Sequence, residues 1–443
     1  MDVYFDQFKP TSSVANYLSV GSKAHDVQTL GFELEHFVVE KNTLALVPYR
    51  NEEDPSAPSV QKVLEQLQGK YTELSYESDT QGNTSLFGLS RQCIAITLEP
   101  GAQLEVSIGP TTSIAQIEKV YQKFRSEIDP ILATMNLQLL ELGYHPTRQA
   151  RNIPLIGKQR YEFMDEYFSG TGKHGICMMR ATASTQVSVD YTSEEDALAK
   201  FRVANALGPF FAFITDNSPF FEAEKVGTCG GNNQHASSGL AVPHRMARMA
   251  CWDDTDPWRS QVARDGYSED FSFLRYAENL MEAPGVFLPP QNTDDAPEYL
   301  GFTSFARALP NQFISEEMVL HILGLFFFDA RFKTYLELRQ ADSMPLEYAL
   351  AFAALISGVF YNPEAIKYYA DCFTYTDSMS VAFAKSALRK EGYEAEVYGR
   401  PATEWLDEMI ALALDGLSST DAPYLAPLAR LIEQRKTLLD LSL

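Results

Sequence analysis

Phe32-Glu33-Leu34-Glu35-His36-Phe37-Val38 sets acids at alternate positions between apolar residues. In a strand, successive side chains point to opposite faces, so Glu33 and Glu35 project together while Phe32, Leu34 and Val38 face away. The same alternation recurs in Gln103-Leu104-Glu105-Val106-Ser107-Ile108, just after Glu99-Pro100-Gly101, and again over residues 182–190 and in Tyr335-Leu336-Glu337-Leu338-Arg339. A sheet built from these stretches packs one face on a core and presents the other, lined with carboxylates, hydroxyls and a guanidinium. Clustered carboxylates repel one another unless a cation neutralises them. Mg²⁺, with the polyphosphate it often accompanies, is the expected occupant, and Glu33, Glu35, Glu99, Glu105 and Glu337 are its candidate ligands. One Glu-x-Glu alone is more often the solvated face of an antiparallel sheet. Several such strands, one carrying Arg339 beside Glu337, weaken that bland alternative.

Around these strands the chain reads as an ordinary globular enzyme. Its 443 residues, 45% hydrophobic and 21% charged, suffice for a large core. The formal charge of −23 disfavours nucleic acid and anionic membrane as partners. An anionic ligand therefore needs metal and arginines near it. The cysteines number five, with no C-x-x-C pair, which argues against a zinc site and a disulfide scaffold. The N-terminal residues lack a signal peptide's pattern, and no apolar run looks long enough for a membrane span, so a cytoplasmic protein is expected.

Helix and strand signals alternate early. A hairpin is expected over 30–48, a helix over 59–67, and two strands over 94–108 joined at Pro100-Gly101. Ser113 with Gln116 predicts a capping box opening a helix to about Met135, followed by a strand over 138–144. A long strand over 180–190 then precedes a helix capped by Ser193 and running to about Thr215. Residues 227–239, rich in glycine and small polar residues, read as a loop, either a catalytic lid or a plain surface insertion. Beyond 313, helical spacing covers 315–333, 344–361, 363–390, 402–414 and 421–441, with the strand 335–339 between the first two. Strand-rich sequence over 25–340 followed by mostly helical sequence over 341–443 predicts an α+β fold in a single domain, 1–443. The helical part is expected to wrap the sheet's apolar face.

Other chemistry is limited. There is no P-loop, no G-x-G-x-x-G after a strand and no G-x-S-x-G elbow. Lys158, Arg160 and Tyr161 lie in a polar connection and either neutralise phosphates, as an ATP-binding set, or form an ordinary surface loop. The densest cluster runs from Arg245 through Arg248, Trp252 and the acids 253, 254 and 256 to Arg259. Arginine grips carboxylates bidentately, so the cluster suits an amino-acid α-carboxylate, with Trp252 as a flat wall against an aliphatic side chain. A structural Asp–Arg network is the alternative. His36 falls on the apolar face of its strand and reads as a core residue.

These residues also carry a resemblance. Gly31-Phe-Glu-Leu-Glu35, Ile96-Thr-Leu-Glu-Pro-Gly-Ala-Gln-Leu-Glu105, Arg160-Tyr161-Glu162, Asn217-Ser218-Pro219-Phe220, Trp252-Asp-Asp-Thr-Asp256 with Arg259, and Arg331-Phe-Lys-Thr-Tyr-Leu-Glu-Leu-Arg339 with Ala341-Asp342 stand in the family's order. The chain resembles the plant-type glutamate–cysteine ligases, which also occur in bacteria, over roughly residues 30–360. In its Thr-Ala-Ser core it looks closest to the actinobacterial branch. The resemblance implies a glutamine-synthetase-like bowl of antiparallel strands surrounded by helices, holding ATP and two or three Mg²⁺ ions, in a monomer or homodimer. It implies activation of the γ-carboxylate of L-glutamate as an acyl phosphate, attack by the amine of L-cysteine, and release of γ-glutamylcysteine, ADP and phosphate. Such a reaction belongs to glutathione or other low-molecular-weight thiol biosynthesis. By carry-over, the five acids match metal ligands, and Glu105, Glu337 and Arg339 lie at the reacting phosphate, where Arg339 also faces ATP. Arg248 and Trp252 match the glutamate-binding pair, and Gln186, Thr182 and Arg259 are further substrate-binding candidates. The plant enzymes place an arginine where this chain has Ala181, so Arg180 is not equated with it; in a strand a one-residue shift changes the face. A different amine acceptor, or a non-catalytic binding homologue, are the alternatives.

Overall fold

A computed structural model describes residues 9–78, 82–226, 236–290, 296–310 and 313–442. The strands carrying the acids do form one sheet. In chain order they are β1 (Leu30–Glu40), β2 (Glu73–Ser78), β3 (Thr84–Arg91), β4 (Ile94–Leu98), β5 (Leu104–Thr111), β6 (Leu137–Leu140) and β7 (Ser184–Val189), joined by Ala330–Phe332 and Leu336–Asp342. The spatial order is Ala330–Phe332, Leu336–Asp342, β7, β1, β5, β4, β3, β2, with β6 added to the far end of β1. Every pairing is antiparallel. Phe32, Leu34, Leu104, Val106, Val187, Val189, Leu336 and Leu338 are buried in one continuous core. Helices Ile114–Thr134, Glu194–Ile214 and Leu346–Phe360 cover this apolar face. The C-terminal helices thus pack on the sheet, as their apolar faces require.

Local signals account for most elements. Ser59 and Ser193 cap their helices by accepting from the backbone N–H of Lys62 and Asp196. Ser113 does not cap in this way. Instead Gln116 accepts from the Thr112 N–H at 3.1 Å, and Asp421 accepts from the Ile114 N–H at 3.2 Å.

Several boundaries differ from expectation. The 30–48 hairpin reduces to one bridge, Val39 to Leu46, because the edges of β1 are taken by β5, β6 and β7. The strand over 138–144 stops at Leu140, and Tyr144 makes only a bridge to Thr182. The strand over 180–190 begins at Ser184. Residues Gly175–Ala181 are a helix, whose last turn is tied by the Thr182 hydroxyl donating to the Met178 carbonyl at 2.8 Å. Arg180 lies in that helix and pairs with Asp165 at 2.5 Å, so the strand-face argument does not apply to it. The helix over 315–333 ends at Gly324, and Ala330–Phe332 is a strand. A short apolar run of Phe326 to Phe328 fits either period, which hid the switch. The stretch 363–390 is two helices, Pro363–Cys372 and Ser378–Glu391, the second capped by Asp377 accepting from the Ser380 N–H at 2.7 Å. The last stretch breaks into Ala422–Leu425, Ala426–Glu433 and Leu439–Ser442, with prolines at 423 and 427 setting the first breaks.

Contrary to the reading of apolar runs, Glu194–Ile214 is long and apolar enough to cross a bilayer, with a mean hydropathy of 1.3. Of that window 83% is buried inside the protein, which makes it a core helix. Of the proposed loop 227–239, residues 227–235 lie outside the described residues.

Candidate active site

The polar face is organised in lateral rows fixed by register. One row sets Glu35 of β1 opposite Glu105 of β5, and Glu105 opposite Thr97 of β4. The next sets Gln186 of β7, Glu33 of β1, Ser107 of β5 and Ala95 of β4 side by side. A third sets Arg331, Glu337, Ser188 and Gly31 across four strands. A register shift between Leu338 and Ala341 lets Arg339 swing to Gln186, to whose amide oxygen its guanidinium donates.

The acids stand in two electrostatic states. Glu337 is fully buried and ion-paired to Arg331 at 2.6 Å, Arg339 at 3.1 Å and Lys333 at 3.3 Å. Burial opposes its charge, but these three cations outweigh burial and hold it well below the usual carboxylate range. The others lack such partners. Burial, then repulsion from Glu105 and Glu337, pushes Glu33 up to about 8. Burial with repulsion from Glu99 and Glu35 pushes Glu105 to about 8, although Thr97 and Ser107 donate to it at 2.8 and 3.1 Å. Burial and repulsion from Glu35 raise Glu99 to about 7. Glu35 is also raised by burial, against Arg248 and the Ser184 hydroxyl, which donates at 2.7 Å. Uncompensated acids of this kind suit a divalent cation. Among the described residues, no three His, Cys, Asp or Glu side chains are grouped closely enough to hold an ion as they stand.

At the Glu35 end lies a hollow of about 60 Å³, lined on its polar side by Glu35, Glu99, Thr182, Arg248 and Arg339. Trp252 and a wall of Met164, Met178, Met179 and Phe327 close its apolar side. Arg248 is 2% exposed, and the guanidinium carbons of Arg248 and Arg339 lie 5.8 and 5.9 Å from the Trp252 ring centre. Arg248 donates to the carbonyls of Arg339 and Gln340 at 3.1 and 3.4 Å, while its Nε and the Trp252 Nε1 are buried without an acceptor. Buried donors left unpaired cost free energy that a carboxylate ligand would recover. At the Glu33 end a second hollow, of about 510 Å³, is bordered by Gly31, Glu33, Ser107, Ser188 and Tyr335. A separate groove of about 670 Å³, lined by Arg50, Arg148 and Glu162 among others, contains none of the candidate acids.

The remaining candidates divide. Gln186 donates to Glu35 at 3.0 Å and sits in the acid rows. Arg160 is exposed yet close enough to lower Glu99. Lys158 is committed to Glu77 at 2.9 Å and to the Phe87 ring, and the Tyr161 hydroxyl donates to the Leu98 carbonyl at 3.0 Å, so the buried tyrosine is a structural strut. Arg259 does not line the hollow. It is fully buried, pairs with Asp256 at 3.2 Å and lies between the rings of Tyr167 and Phe326, the structural Asp–Arg network that the cluster also allowed. His36 donates from Nδ1 to the Leu104 carbonyl, and burial lowers it to about 3, so it is a neutral core residue. Arg331, Lys333 and Thr97 were missed. Their signal was present, since each alternates with apolar neighbours in its own short stretch.

A family model described as Glutamate-cysteine ligase family 2 (GCS2) matches residues 29–437. The chain belongs to that family. As a glutamate–cysteine ligase family member, it is 27% identical over 359 residues to the chloroplastic glutamate–cysteine ligase of Arabidopsis thaliana, which covers 80% of this chain and 63% of that protein. It is 25% identical over 406 residues to the Medicago truncatula enzyme of the same name, covering 91% and 74%. The chain thus spans less than two thirds of the Arabidopsis relative. A crystal structure of glutamate–cysteine ligase from Francisella tularensis in complex with AMP superposes with a TM-score of 0.52 over 92% of this chain and 82% of that one, at 12% identity. That likeness establishes a shared fold of mixed helix and antiparallel sheet.

For this family member the raised acids predict a pH dependence. The native state binds protons on Glu33, Glu105 and Glu99 that the unfolded chain releases near its ordinary 4.5. Stability of the metal-free protein should therefore fall as pH rises from about 4.5 to about 8 and level off above. Mg²⁺ should raise the melting temperature more at pH 8 than at pH 6, because protons compete for the same oxygens. Thermal melts at both pH values check this, and an equal Mg²⁺ effect would count against these acids as its ligands.

Proposed function

We propose that this chain is an ATP- and Mg²⁺-dependent ligase joining the γ-carboxylate of L-glutamate to the amine of L-cysteine through a γ-glutamyl phosphate. The observation that carries this reading is the hollow beside the acid rows, two of whose lining residues, Arg248 and Trp252, each hold a buried N–H without an acceptor. Arg248 and the Trp252 N–H would take the α-carboxylate of glutamate, leaving its γ-carboxylate toward Glu35, Glu99 and Arg339. Glu33, Glu35, Glu99 and Glu105 would hold Mg²⁺, which neutralises phosphate charge and favours an in-line transfer. Arg339, carried on the register shift and oriented by Gln186 and Glu337, would stabilise charge on the transferring phosphoryl group. Glu337 then serves chiefly to array Arg331, Lys333 and Arg339. Arg160 is the remaining basic candidate for the nucleotide near Glu99. No side-chain nucleophile is needed, since the acyl phosphate itself is the activated species.

The acceptor's side chain would meet the methionine and phenylalanine wall, which suits a small, polarisable, uncharged group such as a thiol. The described cysteines Cys93, Cys177, Cys251 and Cys372 are all free thiols, in keeping with a cytoplasmic, reducing location. Mass spectrometry of products formed from glutamate, ATP, Mg²⁺ and a mixture of all amino acids tests the reading. γ-Glutamylcysteine as the dominant product is expected. A different γ-glutamyl product would reassign the acceptor, and no glutamate-dependent ADP would overturn the reaction itself.

A further inference from the structure

Lys385 belongs to the Ser378–Glu391 helix, on a stretch with no polar alternation and outside the sheet, yet it is only 3% exposed. Its ammonium bridges two acids from distant parts of the chain, Asp253 at 2.7 Å and Asp329 at 2.5 Å. Arg389, one turn on, also binds Asp253 at 2.6 Å, so two cations balance two carboxylates. Burial works against charge on Asp253, but Lys385 and Arg389 overcome it and keep its carboxyl below the usual range. Burial disfavours the charged lysine in the same way, and Asp253 and Asp329 reverse that effect.

Both acids lie beside parts of the chain that line the hollow, Asp253 directly after Trp252 and Asp329 two residues after Phe327. Asp253 closes the Ala247–Asp253 helix, little more than one turn after Arg248. Asp329 precedes the Ala330–Phe332 strand, and its carbonyl accepts the backbone N–H of Arg339 at 3.0 Å. Gln261 links the same two points, its side chain donating to the Asp253 carbonyl at 2.6 Å and its own carbonyl accepting from the Asp329 N–H at 2.9 Å. The Lys385 ammonium therefore joins Gln261, and the bonds from Arg248 to the Arg339 and Gln340 carbonyls, in fixing the spacing between the helix bearing Arg248 and Trp252 and the strand bearing Arg339. It is the one ion-paired tie among them. The two guanidinium groups meet over one indole ring, so a small change in that spacing alters the whole carboxylate grip.

We propose that Lys385 is a positioning residue for the carboxylate-binding hollow, acting through Asp253 on Trp252 and Arg248 and through Asp329 on Arg339. It touches no substrate, and the proposal rests on the reading of that hollow as the glutamate site. The test uses the full chain labelled with fluorotryptophan, whose tryptophans number three, with Trp252→Phe assigning the relevant fluorine resonance. Lys385→Met is expected to shift the Trp252 resonance while those of Trp258 and Trp405 stay in place. It should raise the KM for glutamate about tenfold or more and change the KM for ATP less than about twofold. Lys385→Arg, which keeps the charge, should restore both.

The methionine variant leaves the buried Asp329 without its cation while Asp253 keeps Arg389, so Lys385→Met combined with Asp329→Asn is measured beside it as a better balanced pair. An unmoved Trp252 resonance in both variants, or KM values for glutamate and ATP that rise together, would overturn the proposal. If the unmodified chain shows no glutamate-dependent ATP turnover, the proposed reaction fails. The Trp252 resonance would still decide whether Lys385 positions the hollow.

Discussion

Glu337→Gln is expected to abolish glutamate-dependent ATP turnover and also to destabilise the fold by about 3–5 kcal/mol. Glutamine removes the one negative charge shared by Arg331, Lys333 and Arg339, leaving three cations around a fully buried site. Arg339 would lose a bond that aims it, so the loss of turnover follows from its displacement as well as from lost charge. Glu33→Gln should give the opposite stability result. That acid is raised to about 8 by burial and by its acidic neighbours, so replacing it relieves repulsion in the metal-free protein. Its melting temperature should rise at pH 8 while turnover falls by about a hundredfold or more. Melting curves of the two variants, with and without Mg²⁺, separate the roles. Equal destabilisation of both would show that the two acids do not differ as their surroundings imply.

Arg248→Ala carries the second large effect. Its guanidinium is buried and lines the hollow, so solvent cannot replace it there, and Arg339 beside the same Trp252 ring keeps its own partners, Gln186 and Glu337. Loss of a buried charged bond to a carboxylate costs about 2–5 kcal/mol, which predicts a rise of about a hundredfold in the glutamate KM. The KM for ATP should change far less, because Arg160, the basic group proposed for the nucleotide, is exposed and is not part of the lining of the Arg248 hollow. Steady-state kinetics with each substrate varied in turn checks the split. Parallel increases in both would remove Arg248 from carboxylate recognition.

Much of this site could be read from alternation alone. Glu33 and Glu35 share a face because a strand's period is two, and the same alternation sets Glu105 and Glu337 opposite the apolar residues of their own strands, whatever the partner strands. Arg248 and Trp252 were found together because they stand in the densest run of arginines, acids and indoles, and only the folded chain showed the helix that brings these two, four residues apart, to one face. Arg259 stood in the same cluster, but its place between Tyr167 and Phe326 depends on residues about ninety and seventy positions away, which no local pattern reveals. Arg180 was read on a strand for a related reason. Its stretch abuts a true strand, and only the folded backbone shows that Gly175–Ala181 is helical, which turns Arg180 to Asp165.

Periodic side-chain chemistry was enough to establish an α+β chain with an acid-lined sheet, because burial of an apolar face follows directly from the order of residues along each strand. The lateral order of those strands, the different electrostatic states of Glu337 and Glu33, and the reach of Lys385 into two distant acids came only with the folded chain. Each depends on long-range pairing, register and burial, which set the charge environment of a residue through neighbours that its own sequence segment does not contain.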